Sequence, residues 1–448
     1  MRRVARALRR LYVDSVRVRL ATRAGVVSIV GVLLLTLGGR LVGFLREVII
    51  SSVYGTSVIA DSFFTIQLVP TVVSSFLLGP LMIVYVPHYV ALREAGMESA
   101  TFERTLRSAL RIGAFITAAM IVGGVSLTLL NVGPADDGRP LLGTFTVVLS
   151  MSIMPLIIGG LATVILHARG RHVGAMAIAA LAPAGMLASL ALLTNVAIIG
   201  RSEALPWSFV AGSLLSAIAG AIGLRSARRS SAMDVRQTSG SPRIRGFRRE
   251  LLASVAENIG FTLNQAVTVL LAATLGAGAV ATNAYTFRIA AFAFSAIVSP
   301  LNQVVQTWMT GHPSRRQGRK LFSVIAAVAV VVVAISTGLI LIGRAIVEVV
   351  YLRGSFSIAD AAGVTALLRP YAIYIGVTAL NQLMARYFFV HAQGTRYATV
   401  MLAAYTGGNI LKVLAVGPFA LEGVIWASVF GEGVALLYFI VYAVRHSR

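Results

Sequence analysis

The chain contains no cysteine, only two lysines and few charged residues of any kind. Of its 448 residues 12% are charged, and 16 acidic side chains stand against 39 basic ones. Without cysteine, disulfides and thiolate metal sites are excluded. The phosphate-binding loop of ATPases, the HExxH zinc motif and the GxSxG nucleophile motif are also missing from the sequence. We therefore predict no enzymatic activity, no cofactor and no metal site.

Long apolar runs dominate what is present. Hydrophobic residues make up 57% of the chain, and the mean hydropathy of +0.84 is far above that of a soluble globular domain. Each run is long enough to cross a hydrocarbon core of about 30 Å as a helix. We predict an all-α polytopic membrane protein whose spans, about twelve, lie near residues 25–52, 59–90, 108–131, 140–166, 173–199, 204–224, 251–275, 278–310, 321–343, 361–390, 397–417 and 420–443.

Basic residues are distributed unevenly between the two sides of these spans. Most of the 39 fall on the side of the N-terminus, whereas Arg139, Arg201, Arg344 and Arg353 fall in loops on the other side. Cytoplasmic loops carry an excess of Lys and Arg, so both termini are predicted to be cytoplasmic. The same charge favours contact with anionic membrane lipids, and we predict no nucleic-acid partner.

A polar stretch rich in Ser, Gly and Arg, residues 225–250, divides the chain near its middle. Its composition is typical of a flexible linker. Six spans precede it and six follow, which predicts two six-helix lobes around a central cationic cavity. We divide the chain into a basic cytoplasmic N-terminus, an N-lobe, a basic cytoplasmic linker, a C-lobe and a cytoplasmic tail, at residues 1–24, 25–224, 225–250, 251–443 and 444–448.

The segment GGRLVGFLREVII, residues 38–50, places Arg40, Arg46 and Glu47 inside the first span. A charge at the centre of a bilayer helix costs roughly 2.5–3.5 kcal/mol even on insertion scales, so these residues call for an explanation. At 1.5 Å per residue, Arg40 lies roughly 18 Å and Arg46 roughly 9 Å from the outer end of their helix, and Arg288 of the eighth span roughly 15 Å from its own. Cations from both lobes thus share a level.

Two hypotheses explain these arginines. They could snorkel, or pair with Glu47 and Asp61 and hold helices together, or they could bind an anion between the lobes, since guanidinium groups suit phosphate or diphosphate. Gly39 and Gly43 would allow another helix to approach the first one closely. Three further ionisable residues near span ends are assigned structural roles, because snorkelling is cheap there: Glu257, Arg369 and Arg386.

Several motifs resemble the MurJ/MviN family of lipid II flippases. They are GGRLVGFLREVIISSVYGTSVIADSFFTIQLVP, GAGAVATNAYTFRI, YLRGSFSIADA and GGNILKVLAVGPFALEGVIWASVFGEGVALL. The resemblance implies two six-helix lobes that form a V around a cationic cavity in the bacterial cytoplasmic membrane. It also implies alternating access that carries a polyprenyl-diphosphate-linked glycan outward. On this resemblance Arg40, Arg46 and Arg288 match cavity arginines and Asp61 matches a helix 2 aspartate; we add Glu47 to this predicted substrate site.

The sequence departs from the family pattern in two places. The family has a double arginine followed by an acid in the second helix, where this chain has Ser74, Ser75 and Leu78, and fourteen-helix members have two further C-terminal helices. We therefore keep open an exporter of another lipid-linked oligosaccharide, of the O-antigen or exopolysaccharide type. A non-transporting membrane scaffold for cell-wall synthesis proteins also stays open, whereas a cationic-drug exporter would call for acids in the lumen.

A second polar group lies on the seventh and eleventh spans. The resemblance implies a sodium site there between acids, but in this chain Thr268 and Val413 take the acid positions while Asn409 is retained. An ion site without carboxylates would bind sodium poorly. Lys412 could supply a fixed cation bonded to Asn409 or to Asn264 and Thr268, or it could snorkel to the outer surface.

Overall fold

The computed structural model describes residues 23–80, 98–130, 135–136, 139–195, 200–231, 247–311, 317–390 and 393–446. Within them the chain is helical apart from one short pair of antiparallel strands, β1 (Ala135–Asp136) and β2 (Arg139–Pro140). The helices are α1 (Arg23–Tyr54), α2 (Val58–Pro80), α3 (Glu98–Leu129), α4 (Leu141–Ser150), α5 (Ile153–Ala168), α6 (His172–Asn195), α7 (Arg201–Ser231), α8 (Phe247–Ala273), α9 (Ala279–Gly311), α10 (Gln317–Tyr351), α11 (Ile358–Val390) and α12 (Gly394–His446).

Predicted spans and described helices correspond closely. The fourth span consists of α4 and α5, which meet at a two-residue turn, and α12 contains the last two spans. Within α12 the backbone leaves the helical region at Ala420, where φ is +47°, two residues after Pro418. Proline removes a helical hydrogen bond and clashes with the preceding turn, which accounts for a break here. The predicted all-α membrane fold is confirmed.

Seven described helical stretches are long and apolar enough to cross a membrane: Arg107–Leu129, Leu141–Ala168, His172–Asn195, Arg201–Arg225, Ile325–Tyr351, Ile358–Phe389 and Gly394–Arg445. The last has 52 residues, enough for two crossings. The predicted spans outside this set are α1, α2, α8 and α9. Of these, α2 contains a shorter apolar stretch, Val58–Ser74.

Packing groups the helices into two sets of six spans. In the first half of the chain α6 packs on α1 and α7, and α5 packs on α7; in the second half α11 packs on α9, α10 and α12, while α8 packs on α12. The two sets meet where α1 and α2 contact α8, α9 and α10. Gly39 lets α1 approach α6, because a Cβ at Gly39 would lie 3.0 Å from the Cβ of Ala180.

The predicted N-terminal segment and linker fall largely outside the described residues. Residues 1–22 of the N-terminus, 232–246 of the linker and 447–448 of the tail are not described. At the edges of the predicted linker, α7 continues to Ser231 and α8 begins at Phe247, so the helices extend into it from both sides. The division into lobes and linker stays a prediction at residue level.

Candidate functional site

Helices α1 and α9 pair along the second half of α1, antiparallel to each other. Contacts recur every three to eight residues along α1 and move steadily toward the start of α9. They are a hydrogen bond from Arg40 to the Ser295 carbonyl oxygen, a stack of Phe44 on Phe292 with ring centroids 4.6 Å apart, the ion pair of Glu47 with Arg288, and a 2.9 Å hydrogen bond from the Tyr285 hydroxyl to the Gly55 carbonyl oxygen.

Three charged side chains meet in the middle of this pairing. Glu47 is buried, with 1% of its side chain exposed, and its Oε1 contacts both Arg46 and Arg288, the latter with its Nε at 3.4 Å. Two guanidinium groups against one carboxylate leave a net charge of +1. Glu47 Oε2 and Arg46 Nε are buried without a hydrogen-bond partner among the described residues. The cluster therefore has an excess positive charge and an unused donor.

Two cavities adjoin this cluster. The main cavity, about 630 Å³, lies between the lobes and is lined by Phe64, Gln67, Leu68, Thr71, Val72 and Ser74 of α2, Asn258, Phe261, Thr262, Gln265 and Val269 of α8, and Val280, Asn283, Ala284, Phe287 and Arg288 of α9. Its volume is in the usual range for a small-molecule site. The side cavity, about 210 Å³, lies mainly within the N-lobe and is lined by Arg46, Gln67, Thr71, Ser74, Leu156, Ala182, Pro183, Met186, Phe209, Ser213 and Arg288.

Arg288 borders both cavities and keeps 39% of its side chain exposed, while Arg46 borders the side cavity and is 12% exposed. Ser74, at a position where the resemblance predicts an arginine, also borders both. The arrangement can present two guanidinium groups to an anion entering between the lobes. Glu47 would hold both in place, because one carboxylate oxygen accepts a hydrogen bond from Arg46 and forms an ion pair with Arg288.

Arg40 lies apart from this cluster. Its partner Ser295 is seven residues further along α9 than Arg288, about 10 Å by helical rise. Arg40 is absent from the lining of both cavities. Arg46, rather than Arg40, therefore lies at the same depth as Arg288. The pairing of α1 with α9 decides which arginine of α1 meets Arg288, and depth along each helix does not decide it alone.

Asp61 also lies apart from the predicted anion site. Its carboxylate accepts hydrogen bonds from the backbone N–H groups of Gly278, at 2.5 Å, and Ala281, at 2.7 Å. These amides belong to the start of α9, whose first N–H groups have no partner within the helix. Asp61 of one lobe therefore caps a helix of the other lobe, a contact that composition and spacing do not predict.

Further contacts join the lobes at the same end of the bundle. Thr56, in the turn between α1 and α2, donates to Asp360 of α11, and the Ser355 N–H donates to the Ser52 carbonyl oxygen at 2.7 Å. Asp360 also accepts from the Ser357 N–H at 2.7 Å, so it caps α11 as well. We call these two contacts, together with the Asp61 cap, the clasp. Motif YLRGSFSIADA supplies one half of it.

Lys412 is completely buried and tethered to α8. Its Nζ donates to the Asn264 carbonyl oxygen at 2.7 Å, to Asn264 Oδ1 at 2.5 Å and to Thr268 Oγ1 at 2.9 Å. All three ammonium protons are thereby used. The tethered arrangement is observed rather than snorkelling. Asn409, the other predicted member, is not a partner of Lys412, and its Oδ1 has no partner among the described residues.

A polar network within the C-lobe was not predicted as a site. Glu432, in the second half of α12, is 1% exposed and accepts from Thr378 at 2.7 Å and from Asn381 at 3.4 Å, with Tyr374 beside it. Tyr374 in turn accepts from Asn264 and from Gln265, both at 3.4 Å. The one available signal was an acid in the middle of an apolar run, which marks a functional candidate in a membrane helix.

The three residues assigned structural roles are less closely connected. Glu257 and Arg386 are half-buried and lie near enough for their charges to interact, while Arg369 is exposed. Glu257 also lies beside Tyr405. These contacts join α8, α11 and the first half of α12, which agrees with a structural role for two of the three residues.

A family model described as lipid II flippase MurJ matches residues 50–447. The chain belongs to the MurJ lipid II flippase family. The resemblance carried by the sequence motifs is thus confirmed, and the chain is a multi-pass membrane protein of this family. No curated protein matches the sequence.

Solved structures show the same fold as this MurJ family chain. A lipid II flippase MurJ in an inward closed conformation matches with a TM-score of 0.74 and 15% identity, over 91% of this chain and 86% of the other. An inward-facing multidrug resistance MATE transporter of the MOP superfamily matches with a TM-score of 0.70 and 13% identity, over 92% of this chain and 94% of the other. A MOP superfamily transporter from Pyrococcus furiosus matches with a TM-score of 0.68 and 15% identity, over 94% of this chain and 95% of the other.

Proposed function

We propose that this MurJ family chain moves a polyprenyl-diphosphate-linked glycan, with the peptidoglycan precursor lipid II as first candidate, across the bacterial cytoplasmic membrane by alternating access. The observation that carries the proposal is the pair of arginines that Glu47 holds beside two cavities at the lobe interface. A diphosphate would bind Arg46 and Arg288, since guanidinium groups match phosphate oxygens in pairs. The sugars would occupy the main cavity and the polyprenyl chain would remain in the lipid.

Alternating access requires the lobes to separate on one side at a time. The clasp closes the end of the bundle opposite the start of α1, and the main cavity extends from there over Phe64 to Ser74, about 15 Å along α2. With both termini cytoplasmic, as the distribution of basic residues predicts, the clasp would be the outer gate. Release of the glycan would then require Thr56 and Asp360 to part.

The absence of native cysteine makes a cross-linking test direct. We would introduce Thr56→Cys with Asp360→Cys, reconstitute the protein in liposomes and follow transfer of a labelled polyprenyl-diphosphate-linked glycan between leaflets. Oxidation should stop transfer and reduction should restore it, because a disulfide would hold the clasp closed. Each single-cysteine variant is the matched control and should be insensitive to oxidant. Transfer that continues after complete cross-linking would contradict alternating access through this gate.

One observation keeps a second cargo in consideration. Ser74 borders both cavities at a position where the resemblance predicts an arginine, so this part of the cavity wall is neutral. We infer that another polyprenyl-linked oligosaccharide of the O-antigen or exopolysaccharide type is the alternative. Mass spectrometry of the lipid-linked intermediates that accumulate when the protein is depleted would distinguish the two. Rescue of depleted cells by cavity variants as well as by the parent would instead favour a scaffold for cell-wall synthesis proteins.

A further inference from the structure

Two buried oxygen atoms in the C-lobe have no hydrogen-bond partner among the described residues, and they belong to side chains that already contact each other. They are Oε1 of Glu432 and Oδ1 of Asn381, and each side chain is 1% exposed. The Asn381 amide donates to Glu432 Oε2 at 3.4 Å and to the Glu432 carbonyl oxygen at 3.1 Å. A buried acceptor without a donor costs about 1–3 kcal/mol.

A single proton would satisfy both atoms. An ionised carboxylate and an amide oxygen can only accept, whereas a protonated carboxyl group has one O–H donor. With the proton on Oε1, the carboxyl group could donate to Asn381 Oδ1 while its other oxygen accepts from the same amide. This is the cyclic pairing that carboxylic acids and primary amides form, and it would join α11 to the second half of α12.

The charges around Glu432 come from every neighbouring helix. Lys412 of the first half of α12 and Glu257 of α8 act on it electrostatically, and Tyr374 of α11 lies beside it. Tyr397 and Tyr405 of α12 also lie within its electrostatic range, as does Arg386 of α11 through Glu257. Lys412 donates three hydrogen bonds to α8, so it has no proton left to donate to Glu432 Oε1 or Asn381 Oδ1.

A polar connection leads from Glu432 to the main cavity. Gln265, which lines that cavity, donates to the Tyr374 hydroxyl at 3.4 Å, and Tyr374 lies beside Glu432. Tyr374 thus links a cavity-lining side chain to the surroundings of Glu432. Protonation of Glu432 could therefore respond to what occupies the main cavity.

We propose that Glu432 and Asn381 form a proton-binding site in the C-lobe, and that loading and release of its proton accompanies the change of access. The coupling rests on the transport function proposed above, but binding of the proton does not. A hydronium ion supplies the proton: one of its O–H bonds breaks and leaves water, a new O–H bond forms at Glu432 Oε1, and the charge of the carboxylate changes from −1 to zero. In the conformation described here the carboxyl group is neutral.

Infrared spectroscopy of the purified full chain in nanodiscs tests this directly. At neutral pH we expect a protonated-carboxyl stretching band that is lost in Glu432→Gln and retained in Glu348→Gln, a control at an exposed acid paired with Arg344 on α10. Asn381→Ala should shift the band to higher frequency, since the carboxyl group would lose its amide partner. This second variant keeps the test decisive should Glu432→Gln fail to fold. A parent spectrum without the band, or a band unchanged in Glu432→Gln, would overturn the site.

Transport measurements distinguish a failure of this proton site from a failure of the proposed function. In liposomes with an imposed pH gradient, the transfer rate of the parent should respond to the gradient, and that of Glu432→Gln should not. Transfer by the parent without the infrared band would refute the proton site and leave the flippase proposal intact. An infrared band in a parent protein that shows no transfer would refute the flippase proposal and leave the proton site intact. A parent rate that ignores the gradient while the band is present would overturn the coupling.

Discussion

Replacing each arginine of α1 and α9 in turn should separate anion binding from helix pairing. Arg288 borders both cavities and Arg46 one of them, whereas Arg40 donates to a backbone carbonyl away from both. Loss of one charge-assisted hydrogen bond is worth about 1.5–3 kcal/mol. Arg288→Ala should therefore weaken binding of a polyprenyl diphosphate by about 10-fold to 150-fold, since every 1.4 kcal/mol is tenfold.

Arg46→Ala should have an effect of the same order, and Arg40→Ala a smaller one. Arg288→Lys should restore only part of the affinity, because an ammonium group keeps the charge and loses the planar fork. Binding would be measured by titrating nanodisc-embedded protein with undecaprenyl diphosphate, with folding checked by thermal unfolding. Arg344→Ala, at an exposed guanidinium paired with Glu348, is the matched control. A loss at Arg40 equal to or larger than that at Arg288 would refute the assignment of the anion site.

Three further predictions follow from other contacts. Lys412→Met should weaken the contact between α8 and α12 and slow transfer, because the Asn264 side-chain oxygen loses its donor. We expect an unfolding temperature lower than that of Arg344→Met. Equal unfolding temperatures would mean that the tether contributes nothing to stability. Gly39→Leu should lower transfer and stability, since the new side chain would collide with Ala180, whereas Gly38→Leu meets no atom nearby and should be tolerated. Transfer should not depend on sodium, because an ammonium group occupies the oxygen atoms of α8 that face Lys412; a clear fall in rate when choline replaces sodium, at constant ionic strength and membrane potential, would contradict this.

Local sequence determined the fold class and the helices of this protein. A segment in lipid must satisfy its backbone hydrogen bonds internally, so an apolar run of sufficient length is almost bound to be a helix. The span predicted at 278–310 therefore differs by one residue at each end from α9, Ala279–Gly311. The distribution of charge along the chain likewise singled out Arg46, Glu47 and Arg288 as unusual, because each carries a cost in a membrane helix that needs compensation.

Only the tertiary structure decided which of these residues belong together. Glu47 and Arg288 are separated by 241 positions, and neither sequence neighbourhood specifies the rotation and offset with which α1 meets α9. Because of the same pairing, Arg40 lies about 10 Å from the cluster by helical rise, and Asp61 accepts hydrogen bonds from the first amides of α9. For Lys412 the sequence allowed either snorkelling or tethering, and the packing of α12 on α8 placed three oxygen atoms around its ammonium group. Pairing of this kind depends on side-chain fit across helices that are distant in sequence, which periodicity and composition do not encode.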